Sequence, residues 1–194
     1  MTFPMPVSFH SCRILALSLF VVACRSQAEE TTVSGASSVQ PRPAVIQAAE
    51  GELRFVRGGT APLRIKVDPI NTGSQRMVLG SSDLPPGDAI AVHRHLQEDE
   101  IILITRGTAR VQLGSREYTG GPGSAVFIPQ GTCIAISNIG TDTLTNFFIF
   151  SSPGFEQVLR AVSSAPGEPP KTITPAQRAA AFEQGHAEAG PTDC

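Results

Sequence analysis

The stretch Gly87–Gly107, GDAIAVHRHLQEDEIILITRG, constrains this chain more than any other part of it. It sets His93 and His95 two residues apart, with Glu100 five residues further on, in a run that reads as strand, turn, strand. Successive side chains of a strand point to opposite faces, so both imidazoles project the same way. On the second strand Glu100 shares a face with Ile102 and Ile104, which puts a carboxylate on the side of an apolar layer. Two neutral nitrogens and one carboxylate oxygen then converge on a point. Such a set is a first coordination shell for a divalent metal, with positions left open on its far side.

The surroundings of this stretch read as many short strands. Leu63, Ile65 and Val67 alternate with Arg64, Lys66 and Asp68, the period of a half-buried strand, and Met77 with Leu79 suggests another. Strands are also expected over 109–113, 117–119, 124–128, 133–137 and 143–150, with turn signals at Gly114-Ser115, Pro129-Gln130-Gly131 and 138–142. Eighteen glycines and sixteen prolines supply the tight turns this pattern needs. The folded part therefore reads as an all-β domain over 51–151, closed or nearly closed. After Pro153 the period changes. Phe155, Val158, Leu159 and Val162 fall at helical spacing, and Thr174-Pro175-Ala176-Gln177 is a capping box opening a second helix to about Gln184. Gly185 is expected as its left-handed terminator. Residues 152–194 thus read as a helical extension that covers the outside of the domain or a neighbouring subunit.

The spacing carries a family resemblance. Glycine, five residues, His-x-His, four residues, Glu, six residues, glycine resembles the first motif of the cupin family, and Gly87, His93, His95, Glu100 and Gly107 fill it without a gap. The segment GSAVFIPQGTCIAISN is similar to the second cupin motif at Gly123, Pro129, Gly131 and Asn138. One position departs, since Ile134 stands where that motif usually supplies a further histidine. The resemblance covers roughly residues 60 to 150. It implies a cupin-like β-barrel (double-stranded β-helix or jelly roll), here with C-terminal helices, and a pocket for metal or ligand inside it. It also makes a homodimer a reasonable expectation.

The histidine inventory agrees with a metal site. Of His10, His93, His95 and His186, two occupy two ligand positions of one motif. The expected ligands are His93, His95 and Glu100, the metal Fe, Mn, Zn or Ni, and the apolar pocket walls Ile102, Phe127 and Ile134. Glu98 and Asp99 read as solvated turn acids, Asp99 becoming a ligand only if the register slips by one. Cys133 points away from Ile134 on a regular strand and reads as a small buried hydrophobe, its pairing with Cys194 left open. Catalytic residues beyond the ligands are not assigned: the two lysines, Lys66 and Lys171, and the single Tyr118 do not lie beside the motif.

The N-terminus reads as an export signal over residues 1–23, with Arg13 ahead of the apolar run ILALSLFVVA, too short to span a bilayer. Val21-Val22-Ala23-Cys24 resembles a bacterial lipobox, which implies lipid attachment at Cys24. Arg25 in the next position favours an outer-membrane or cell-surface anchor over retention in the inner membrane. Residues 24–50, rich in Ser, Thr, Ala, Gln and Pro, read as a flexible tether with a reach of roughly 25–30 Å. A net charge of −2 with scattered basic residues argues against a nucleic-acid partner. Two readings follow: a metal-binding, lipid-anchored protein acting on a small molecule, dioxygenase-like among enzymes, or a non-catalytic small-molecule- or metal-binding module at the envelope, in the periplasm or beyond.

Overall fold

The structure, a computed structural model, describes residues 40–194. The expected signal, Cys24 and most of the expected tether lie outside the described residues. Among those described, the elements are β1 Glu52–Val56, a 3-10 turn at Arg57–Gly59, β2 Ala61–Val67, β3 Val78–Leu84, β4 Ala89–His95, β5 Glu100–Arg106, β6 Ala109–Leu113, β7 Arg116–Gly120, β8 Ala125–Ile128, β9 Ile134–Asn138, β10 Leu144–Phe150, α1 Phe155–Ala161, α2 Pro175–Gln184 and β11 Ala187–Ala189. None of these helices is long and apolar enough to cross a membrane.

The strands form two antiparallel sheets, ordered β1-β2-β3-β10-β5-β8 and β11-β4-β9-β6-β7. They pack face to face over one core in which Leu84, Ile102, Ile104 and Leu144 of the first sheet meet Val111, Ile134 and Ile136 of the second. The expected all-β jelly-roll character holds, but the sheets do not close into a barrel. No hydrogen-bonded ladder joins them among the described residues, so the molecule is a two-sheet sandwich open along its sides. The reason is visible at β4, whose outer edge is taken by β11 from the C-terminus rather than by a strand of the other sheet.

Period-two alternation sets the inner face. Along β5, Glu100, Ile102 and Ile104 are buried while Ile101 and Leu103 face out. In β3 the inward set is Val78, Gly80 and Leu84, and Met77 lies exposed just before the strand. Gly80 lies opposite Phe148 of β10, and a Cβ there would sit 2.1 Å from the Phe148 ring. Only glycine lets that ring lie down on the inner face, where it forms part of a cavity wall.

The C-terminal region departs from expectation. A second cluster packs Phe155 and Val158 of α1 with Phe182 of α2, Ala187 of β11 and Val78, Phe148 and Phe150 of the first sheet. The helices therefore plug the open side of the sandwich, instead of covering an outer face. The capping box at Thr174 and Gln177 forms as read. Gly185 has φ −94° and is not left-handed; His186 takes that role with φ 54°. Glycine is needed at 185 for closeness, since a Cβ would meet Val158 Cγ2 at 2.2 Å. Nor is His186 in a free polar tail, because its carbonyl accepts from Leu96 N–H at 2.7 Å and leads straight into β11.

At the other end, the buried Lys66 donates from Nζ to the carbonyls of Gln47, Ala48 and Glu50 at 2.8–3.0 Å. The last residues assigned to the tether are thus tied to the domain, beside a register shift in β2 between Ile65 and Val67. Cys133 and Cys194 form a disulfide with their Cα atoms 5.8 Å apart, so Cys133 is a crosslink and not a lone buried thiol.

Candidate metal centre

The strand–turn–strand reading places its three polar residues together. His93, His95 and Glu100 each offer a ligand atom, and these atoms lie within 4.8 Å of one another. All three residues are buried. β4 carries the imidazoles on the inner face of one sheet and β5 carries the carboxylate on the inner face of the other, so the site bridges the sandwich.

Each imidazole has one nitrogen already committed. His93 Nδ1 donates to the Ala91 carbonyl at 2.9 Å, and His95 Nδ1 donates to Glu98 Oε1 at 3.1 Å. That leaves Nε2 of each ring as the nitrogen open to a metal, the arrangement by which outer partners orient metal-ligating histidines. His95 Nε2 lies 3.3 Å from Glu100 Oε2, an ion-pair distance, yet neither atom has a partner in hydrogen-bonding geometry. Two buried polar atoms left facing each other in this way are costly unless something satisfies both. A divalent cation does so, as a proton on Nε2 does in the metal-free protein, and the donor set suits a cation. Phe155 packs edge-on against His95 at 4.4 Å and is stacked over His93 at 5.9 Å, while Phe150 lies 5.0 Å from His95. These rings pack around the two imidazoles.

Glu98 is the residue that sequence reasoning missed. It is 1% exposed rather than a solvated turn acid, and it orients His95. Its signal was the spacing of three from His95, a distance a tight turn can close. Asp99 does stay in the turn, its carboxylate accepting from the Gln130 N–H at 2.9 Å, and takes no part in the cluster. Glu98→Gln should weaken metal binding about 10- to 100-fold without removing a ligand, as read by competition with a chelating dye.

Protonation of the metal-free site is uneven. Burial holds His93 below the ordinary imidazole range. For His95 burial also opposes the charged form, but the approach of Glu100 and the bond to Glu98 outweigh it and push the group up to about 9. A folded-state value above the unfolded one, about 6.5, means that the protonated pair stabilises the fold fully below pH 6.5. That contribution is lost as pH rises through 9. Thermal melts of chelator-treated protein should therefore show the melting temperature falling between pH 6.5 and 9. Metal affinity should rise over the same interval, because the cation displaces the proton.

A cavity of about 690 Å³ opens onto His93 and Glu100. Ile102 lines it, as expected. Ile134 does not: it is 0% exposed in the inter-sheet core, directly across the ladder from His93. Phe127 is 59% exposed on the outer side of β8 and forms no wall. Its partner in register is Ile101, which must face out because its neighbour Glu100 faces in. The walls that were not foreseen come from the helices, among them Phe155, Val158, Leu159 and Phe182.

Residues 80–150 match the profile of the cupin domain. The fold is a cupin fold. Among solved cupin-fold neighbours is a predicted oxalate decarboxylase from Thermotoga maritima, with 18% identity, TM-score 0.51, and coverage of 57% of this chain and all of the other. KdgF from Halomonas sp. aligns at 17% identity and TM-score 0.50, over 58% of this chain and 96% of its own. The polyketide cyclase RemF from Streptomyces resistomycificus aligns at 18% identity and TM-score 0.50, over 71% and 91%. No curated protein matches the chain in sequence. Both sequence motifs and all three candidate ligands fall inside the matched residues, while α1, α2 and β11, which wall the cavity, lie beyond them.

Proposed function

We propose that this cupin domain holds a divalent metal, Fe, Mn, Zn or Ni, through Nε2 of His93, Nε2 of His95 and a carboxylate oxygen of Glu100, and acts on a small molecule bound in the adjoining cavity. The observation that carries this reading is the pair of unpartnered buried atoms, His95 Nε2 and Glu100 Oε2, beside two rings whose Nδ1 atoms are already bonded. A metal bound there would supply Lewis acidity toward a carbonyl or a centre for oxygen chemistry, with open positions for substrate. The chain's own part is to fix the imidazole tautomers through Ala91 and Glu98, to pack Phe150 and Phe155 around the imidazoles, and to enclose the substrate. Protein purified without residues 1–24 should carry close to one divalent metal per chain by elemental analysis. A metal-free protein whose melting temperature ignores added Fe, Mn, Zn and Ni would end this reading.

The second reading, a non-catalytic binding module, is favoured by Ile134. An aliphatic side chain fills the position beside His93 where the second motif usually provides a fourth ligand. Oxygen uptake with catechols, flavonols and keto acids separates the two readings, since ligand binding without turnover belongs to the module.

The same proposal places the protein outside the cytoplasm, lipid-anchored at Cys24 to the bacterial envelope and facing the periplasm or cell surface. The Cys133–Cys194 pairing supports an oxidising compartment, and the lipobox-like residues 21–24 support the anchor. Labelling with a fatty-acid analogue should vanish in Cys24→Ser. The homodimer implied by the resemblance would form on the outer face of β5 and β8, where Ile101, Leu103 and Phe127 are exposed together.

A further inference from the structure

The cavity has a second polar end. Asn146 stands four residues before Phe150 on β10, and Phe150 pairs with Glu100, so the level of Asn146 is roughly 13 Å along the strand from the carboxylate ligand. β4 gives the same measure, since Ala89 lies four residues before His93. Around this far end the cavity is lined by Arg57, Ser82, Asn146 and Arg178.

The polar groups there are donors. Asn146 is 1% exposed; its Oδ1 accepts from the Ser82 hydroxyl at 3.2 Å, and its Nδ2 has no partner. Arg57 leaves the 3-10 turn with φ 52°, and its Nε donates to the Ala89 carbonyl at 3.0 Å and faces Asp88 at 3.1 Å. Arg57 and Arg178 both line this cavity; burial lowers the Arg57 pKa, Asp88 opposes that, and the charge of Arg178 lowers it further. Asp88 offsets one of the two charges. Arg178 makes no ion pair among the described residues. Lining the cavity there remain one uncompensated positive charge and one buried N–H without an acceptor; Asp88 Oδ2, buried and also without a partner, is not among the lining atoms. Between this end and the metal ligands the walls are apolar, with Ile102, Phe148 and Leu159 among them.

We propose that the cavity takes an amphipathic organic acid, whose carboxylate is held by Arg178, Arg57 and Asn146 and whose apolar body lies along Phe148 and Leu159 toward the metal ligands. The position of its other end rests on the metal-site reading; the acid end does not. A carboxylate supplies what this end lacks, two acceptor oxygens and one negative charge, and a guanidinium is the group that matches it best.

The test is calorimetric titration of the metal-loaded full chain with octanoate and with octanamide, which differ only in the head group. Octanoate should bind at least about tenfold more tightly. Arg178 is exposed on α2, so Arg178→Gln leaves the core untouched, and it should bring the two ligands to within about twofold by weakening octanoate alone. Asn146→Leu should weaken octanoate in the same direction. The preference should survive removal of the metal by a chelator, which separates this inference from the metal-site reading. It is overturned by equal binding of acid and amide, by no binding of either, or by a preference that persists in Arg178→Gln. A preference that disappears with the metal overturns it too, since the acid would then sit on the ion.

Discussion

Glu100→Gln should purify without bound metal, and its affinity for an added divalent cation should fall by more than the roughly 100-fold typical of losing an outer partner. The substitution keeps the shape of the side chain and removes the one anionic ligand of the three. His95→Ala should lose metal as fully but do more damage. It deletes the ring that separates Glu98 from Glu100, two carboxylates that are 1% and 5% exposed, and leaves both buried without their partner. Removing one member of such a buried pair destabilises by about 3–5 kcal/mol. The comparison therefore divides coordination from folding: Glu100→Gln should keep a cooperative melt while losing metal, and His95→Ala should lose both. Elemental analysis and thermal melts of the two proteins read this directly. If Glu100→Gln retains one metal per chain with an unchanged dissociation constant, the three-residue site is wrong.

The candidate ligands were legible in the sequence because the face on which each lies follows from local geometry. Two residues apart on a strand puts His93 and His95 on one face, and the alternation of Glu100, Ile102 and Ile104 fixes which way the next strand turns. Phe127 was misplaced because alternation gives two faces without saying which is inward. Only the register of β8 on β5 decides it, by pairing Phe127 with the outward Ile101. Glu98 was hidden for a similar reason. Whether a turn acid is solvated depends on what covers it, and Phe150, Phe155 and Phe182 beside His95 and His93 come from β10 and from helices as many as 89 residues further on.

The C-terminal helices show the same division. Their capping and their apolar stripe are written locally, and α2 begins where the Thr174 box says it should. Their docking is not, since a stripe at helical spacing demands a partner without naming it. In this chain the partner is the open side of the sandwich, and that choice turns a fold with a surface groove into one with a walled cavity. The closed barrel expected from short strands failed at the same place, because helices and β11 occupy the edge a closing strand would need.

Breaking the Cys133–Cys194 bond should destabilise the domain by about 4 kcal/mol, the chain-entropy estimate for a crosslink spanning 61 residues. For a folded region of this size that is a fall in melting temperature of roughly 8–16 °C. Cys194→Ser, Cys133→Ser and the double variant should melt alike, because each removes the same crosslink. A reductant should shift the parent protein by a similar amount and leave the variants where they are. The metal site should survive the change at ordinary temperature. β11 remains paired with β4 through Ala187, Glu188 and Ala189, and Arg94 still bonds Glu188 and Asp193. The expected signature is thus a lower melting temperature with metal content intact, the reverse of Glu100→Gln. Variants that melt with the parent, together with a parent indifferent to reductant, would mean that the C-terminal tail is held by its strand pairing alone and that the thiols are not joined.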